Sequence, residues 1–179
     1  EIPVGKDTIL LNRAGDIFLK GLWVATIPTL SVGYDLDHAE VDRDRRLVNT
    51  WTLQSILGRI WSTAIERVPA ALNHATTLIQ RGAEDIAGLA ATFRYTDAPV
   101  AKKKVADNFI ATHGPTAVPV TTTTEADQAK AAGAIPIIVS ARERDIVEIA
   151  ASRTLADVIA ASKHRVVRVL SPADLEDAG

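Results

Sequence analysis

Ala117-Val118-Pro119-Val120 and Ile135-Pro136-Ile137-Ile138-Val139-Ser140 are the two runs whose reading decides the fold class. Both are short, apolar and rich in β-branched residues, so both read as strands, the second one buried. Between them Thr124 is placed to cap a helix over Glu125 to Ala132, which Gly133 stops. Past Ser140 a helical stretch, broken near Ser152 to Thr154, runs to Lys163. Val166-Val167-Arg168-Val169-Leu170 then reads as a further strand, and Ala173 to Asp177 as the start of a last helix. Strand and helix alternating in this way imply parallel pairing through right-handed crossovers. A small βαβαβ unit is therefore expected over 115–179.

Working back toward the N-terminus, the period changes. Over 49–111 the chain reads as helices. With Asn49 or Thr50 as N-cap, Leu53, Ile56, Leu57, Ile60, Trp61, Ala64, Ile65 and Val68 recur at helical spacing on one face. Pro69 interrupts that face, and a second helix carries Leu72, Ala75, Leu78 and Ile79 up to Gly82. A third holds Ile86, Leu89, Ala90 and Phe93. A fourth starts at Asp97 with Pro99 just inside, and carries Val100, Val105 and Phe109. Residues 1–48 instead read as strands and turns. Thr8 to Leu11 is a short apolar run, and Asn12 to Asp16 has turn chemistry. Ile17-Phe18-Leu19 and Leu22 to Ala25 are β-prone around Lys20-Gly21, where the glycine suggests a bulge or a close backbone approach. Leu30-Ser31-Val32 is a further strand candidate, ending at Gly33. The class expected is thus mixed α and β: a β-rich start over 1–48, a helical middle, and an α/β end.

Composition narrows the chemistry. The chain has 179 residues, 47% hydrophobic, with 20 basic and 22 acidic side chains and a formal charge of −2. That balance supplies no global attraction to nucleic acid or to an anionic membrane. The absence of cysteine excludes disulfides, iron–sulfur clusters, cysteine-ligated zinc and a cysteine nucleophile. No run approaches the roughly 18 apolar residues of a membrane span, and no signal peptide is visible, so a cytoplasmic setting is expected. The first residue is Glu1, there is no methionine, and Asp7 to Leu11 is strand-like close to the start. The sequence is accordingly read as a fragment of a longer protein or a processed chain.

Few residues carry a chemical signature. His38, His74, His113 and His164 are scattered without the spacing of a helical metal site, so surface or structural roles are expected and no metal is assigned. There is no GxSxG, no P-loop and no GxGxxG. Gly114 suits a turn, and Lys102-Lys103-Lys104 suits a solvated helix face. Ser140-Ala141-Arg142 stands between a strand and a helix, where α/β proteins bind anions, but helix capping explains it as well. An enzyme built near Ser140 or Ser171 lacks a second catalytic partner.

Asp42-Arg43-Asp44-Arg45-Arg46 differs from these. Three guanidinium groups and two carboxylates lie within five residues, between the β-rich and helical segments. One reading is a solvated turn whose charges pair among themselves, each pair stabilising by at most about 1 kcal/mol. The other is an arginine presented to a phosphate, because guanidinium stays charged and forks onto phosphate oxygens.

Gly15-Asp16-Ile17-Phe18-Leu19-Lys20-Gly21-Leu22-Trp23-Val24, Val32-Gly33-Tyr34-Asp35-Leu36 and Val41 to Asn49 together resemble a region of the GHKL ATPases. These are the relatives of gyrase, the heat-shock chaperone, histidine kinases and MutL. The resemblance covers about 35 residues and is to the region just downstream of the nucleotide domain in chaperone-type members. It also extends to large phage-encoded and bacterial GHKL-like proteins. It implies a transducer-type segment whose loop arginine reaches the ATP γ-phosphate, with Arg45 in that place and Lys20, Arg43 and Arg46 as binding residues. The family's Glu/Asn helix, Asp-x-Gly-x-Gly turn and glycine-rich lid are not in 1–179. The resemblance therefore implies no cofactor in this chain itself. ATP and Mg would come with an upstream nucleotide domain, which would also be the partner, and homodimerisation is compatible with this.

A competing expectation is a non-catalytic protein–protein interaction module with a helical core. Gln80 to Asp85 and Tyr95-Thr96-Asp97 resemble parts of the small helical hairpins secreted by actinobacterial type VII systems. The tryptophan and glycine of that hairpin turn are not found there.

Overall fold

The computed structural model describes residues 1–38 and 50–163, and it is mixed α and β. The β-rich start forms one five-stranded sheet from β1 (Ile2–Val4), β2 (Asp7–Leu10), β3 (Asp16–Leu19), β4 (Leu22–Thr26) and β5 (Gly33–Leu36). The spatial order is β1-β2-β5-β3-β4, antiparallel throughout except for the β3–β5 pair. β1, which the sequence pattern does not suggest, pairs with β2 across the Gly5-Lys6 turn.

Two expectations are corrected here. Lys20-Gly21 is not a bulge within a strand. Both residues have positive φ (52° and 78°), the conformation of a two-residue I′ turn, and they close the β3–β4 hairpin. The irregularity falls earlier, between Ile17 and Phe18. Nor does Gly33 end a strand over Leu30 to Val32; it begins β5. The amides of Ser31 and Val32 are taken by the Asp85 carboxylate (2.8 and 3.2 Å) and so are withdrawn from the ladder. A Cβ at Gly33 would run into the Arg13 carbonyl, which is why glycine stands there.

Four helices follow, α1 (Thr50–Arg67), α2 (Pro69–Gln80), α3 (Leu89–Tyr95) and α4 (Pro99–His113), with α1 packed against the sheet at β1 and the others packed around α1. The apolar face expected of α1 is the buried one, with Leu53, Leu57, Ile60, Trp61, Ala64 and Ile65 all in the core and Ile56 and Val68 partly so. Pro69 opens α2 at its first turn, where no amide partner is needed. Instead of one third helix there is a 3-10 turn, Glu84–Ile86, and then α3, because the chain passes α1 at backbone contact. A Cβ on Gly58 would lie 2.5 Å from the Gly88 carbonyl oxygen. The N-cap of α4 is Ala98, with no side-chain cap, rather than Asp97.

Beyond α4 come β6 (Ala117–Val120), α5 (Thr123–Ala131), β7 (Ile135–Ile138), α6 (Ala141–Ala151) and α7 (Leu155–Lys163). β6 and β7 pair in parallel, as the alternation requires. The cap of α5 is Thr122, not Thr124: its hydroxyl accepts the Glu125 amide, and Glu125 reciprocates to the Thr122 amide. β7 is not the buried strand; Ile135 and Ile138 are 47% and 64% exposed, while every residue of β6 is buried. Ser152, in the left-handed conformation (φ 49°), makes the expected break between α6 and α7. The expected strand Val166–Leu170 and last helix from Ala173 lie outside the described residues. α6 packs on two sides. Ile146 and Ala150 complete the core of the sheet and α1–α4, while Val147 meets Phe109, Ala117 and Ile137.

Candidate functional site

The hairpin turns at Gly5-Lys6 and Lys20-Gly21 and the end of β5 fall at one end of the sheet, because β2 starts and β3 finishes where β5 does. Two lysines and a histidine from three places in the chain thereby converge on Asp37. Lys6 Nζ and Lys20 Nζ stand 3.8 and 3.9 Å from its carboxylate, and His38 Nε2 stands 2.9 Å away. The Asp37 amide donates to Asp7 Oδ1 at 2.8 Å, fixing the strand end that carries the carboxylate. Arg59, from α1, joins Lys6, Asp7, Asp37 and His38 around an open cavity of about 430 Å³ with an apolar back of Val4, Ile56 and Ile60.

Lys6, Lys20 and His38 are more than half exposed, so their attraction to Asp37 is screened and each pair stabilises little. They are correspondingly free to turn toward a ligand. The arrangement suits capture of an anionic group; the two carboxylates in the wall are engaged, Asp7 by the Asp37 amide and Asp37 by Lys6, Lys20 and His38. Of the expected site residues, Lys20 is at this rim. Arg43, Arg45 and Arg46 lie outside the described residues, in the stretch 39–49 that comes after His38. Lys6, His38 and Arg59 carry no sequence signal of a binding role, since nothing in local spacing joins them.

Several of the other candidates make structural contacts. Ser140 accepts the Glu143 amide at 3.1 Å and so caps α6. Arg142 donates to the Ala83 carbonyl (2.8 Å) and pairs with Glu84 (3.2 Å), tying α6 to the start of the 3-10 turn. Arg144 pairs with Glu125 (2.7 Å) and Glu148 (3.2 Å). The Thr121 amide and hydroxyl, with Arg144 beside them, hold the Glu125 carboxyl down at about 2. Among the three central lysines, Lys103 pairs with Asp107, and Lys104 Nζ donates to the Ile65 and Glu66 carbonyls at the end of α1 (3.0 and 2.9 Å). His74 is exposed and His113 lies against the Phe109 ring. His164 and Ser171 lie outside the described residues.

The principal buried network likewise has no sequence signature. Trp61 Nε1 donates to the Tyr34 hydroxyl (2.9 Å), which donates to Asp85 Oδ1 (2.9 Å). Burial first, and the Asp85 charge second, push the Tyr34 phenol well above its ordinary value. This network joins sheet, α1 and the 3-10 turn, and every polar atom in it has a partner, so it reads as scaffold. Among the described residues no cluster of three or more His, Asp or Glu is arranged to hold a metal, and no helix is long and apolar enough to cross a membrane. Comparison of the chain with family models, with curated proteins and with solved structures finds no match in any of the three.

Proposed function

We propose that this chain is the downstream, transducer-type part of a GHKL ATPase, coupling the state of a bound nucleotide to a partner. In this reading Arg45 faces the γ-phosphate of ATP held with Mg by a nucleotide domain outside this sequence. Lys20, Arg43 and Arg46 are assigned to binding in the same reading, and the setting is cytoplasmic. The observation that supports it is the convergence of Lys6, Lys20, His38 and Arg59 at the sheet end from which the chain enters the Asp42–Arg46 run. A guanidinium forks onto phosphate oxygens, and one offered across a domain boundary stabilises phosphoryl-transfer charge. The test is ATP turnover by the full-length protein. Arg45→Ala should lower kcat about 10³-fold, the scale of an arginine finger, with the unfolding midpoint unchanged. Unchanged turnover removes the assignment.

A second reading, a non-catalytic interaction module, draws on exposed aromatic surface: Trp23 is 58% and Tyr95 79% exposed. Under it, Trp23→Ala and Tyr95→Ala would weaken partner binding while Arg45→Ala would not.

A further inference from the structure

Arg59 lines two cavities. One is the open space at the sheet end that it shares with Lys6, Asp37 and His38; the other is a groove of about 310 Å³ between α1 and α3. The groove follows from the close crossing of the two helices. Gly58 lets α1 approach the Gly88 carbonyl, and Ala87, Gly88 and Ala91 offer no side chain long enough to fill the seam beside it. Tyr95, one turn beyond Ala91, lines the same groove and is 79% exposed, so most of its ring is open to a second ring.

A space of this size holds a small organic molecule. Its lining is mostly apolar, Arg59 is the charged group in it, and no carboxylate lines it among the described residues. The Thr92 and Thr96 hydroxyls donate to carbonyls four residues back, at 3.0 and 2.6 Å, and one Gln54 amide proton goes to Glu84. The donors that remain in the lining are Arg59, Ser55, the Tyr95 hydroxyl and the second Gln54 amide proton. Donors with a positive charge at one end and apolar surface at the other select an occupant built the same way in reverse. Arg59 is exposed, and its guanidinium stays charged and forks onto a carboxylate or a phosphate.

We propose that the α1–α3 groove and Arg59 bind a small molecule made of a flat apolar ring and one attached anionic group, a carboxylate or a phosphate. The ring lies in the groove against Tyr95, and the anion sits on Arg59 where the two cavities meet. This site needs neither Arg45 nor a nucleotide domain, so it is independent of the transducer reading.

The experiment is calorimetric titration of the 179-residue chain with naphthoate and naphthyl phosphate. Naphthol serves as the ring without the anion, and acetate and inorganic phosphate as the anions without the ring. A ringed anion should bind at one site at least about tenfold more tightly than naphthol or either bare anion. The preferred one, naphthoate or naphthyl phosphate, identifies the anionic group. Arg59→Gln should weaken it about tenfold or more, to the level of naphthol, and Tyr95→Ala about 3–10-fold. Both side chains are exposed, so the unfolding midpoints should not move. Arg81→Gln, an exposed charge at the end of α2, should leave binding unchanged. The proposal is overturned if neither ringed anion binds saturably at millimolar concentration, if R59Q binds as wild type does, or if R81Q weakens binding as much as R59Q. Amide shifts induced by the ringed anion should cluster at Ser55, Gly88, Ala91 and Thr92; a cluster around Trp23 instead would place the ligand on other apolar surface and also overturn the site.

Discussion

Tyr34 and Asp85, 51 residues apart in the chain, share a buried hydrogen bond of 2.9 Å, and through it the sheet is fastened to the helices. The Asp85 carboxylate also receives the Ser31 and Val32 amides, so its loss would leave two buried donors, the Val32 amide and the Tyr34 hydroxyl, and the part-buried Ser31 amide without their acceptor. Asp85→Ala should therefore destabilise by roughly 3 kcal/mol or more. Tyr34→Phe, which removes one donor and leaves Trp61 Nε1 without its acceptor, should cost about 1–3 kcal/mol. Urea denaturation followed by tryptophan fluorescence measures both; a Tyr34→Phe loss equal to or above that of Asp85→Ala would contradict the ranking.

The same network has an alkaline signature. Folding raises the Tyr34 phenol above its unfolded value, so the folded chain holds that proton more tightly. Stability from this group is complete below about pH 10 and declines above it, as the unfolded chain begins to ionise. In an ultraviolet phenolate titration Tyr34 should stay silent until the chain unfolds. Phenolate absorbance from Tyr34 in the folded state, near the ordinary value, would refute this.

Gly58 and Gly88 set the spacing of α1 and α3. A methyl group on either meets backbone, which has no rotamer with which to yield. Gly58→Ala gains helix propensity but should lose about 1–3 kcal/mol net from overpacking. An alanine variant as stable as wild type would mean that the two helices part at little cost.

Opposite pH responses should separate Glu125 and Glu143, each the third residue of a helix opened by a hydroxyl cap. Glu125 titrates at about 2, below an unfolded carboxylate, so its contribution is present above about pH 4.5 and is lost as pH falls toward that lower value. Burial raises the Glu143 carboxyl instead, so its folded form is favoured by acid and penalised once ionised. Glu143→Gln should thus stabilise the chain near neutrality, with the gain vanishing at low pH, whereas Glu125→Gln should destabilise it near neutrality and converge with wild type at low pH. Thr122→Ala, which removes the cap itself, should cost about 1 kcal/mol. Unfolding midpoints across pH 3–8 decide the matter; parallel curves for the two glutamine variants would defeat it.

Much of this fold can be read from the chain because its helices bury one face. Leu53, Leu57, Ile60, Trp61, Ala64 and Ile65 announce α1 by spacing alone, and Pro69 and Gly82 bracket α2. The misreadings fall where a distant group intervenes. Asp85 draws Ser31 and Val32 out of the ladder, and the crossing at Gly58 splits what periodicity suggests is one helix. Thr122 and Thr124 are chemically equivalent, so a run of four threonines hides which one caps. For the rim, Lys20 is accessible through the residues around it. Lys6, Lys20 and His38 share Asp37 only because two hairpins turn at one sheet end, and Arg59 joins Lys6 and His38 there from α1, relations with no local trace.

α6 imposes an order on synthesis. The sheet and the first four helices are made before residue 141 is joined, yet their core lacks Ile146 and Ala150 until α6 arrives. On the ribosome the earlier part is therefore expected to wait incompletely sealed, with the apolar surface that Ile146 and Ala150 cover left open. Protease resistance of stalled nascent chains should accordingly appear in one step, once α6 has cleared the exit tunnel, and not gradually as each helix emerges.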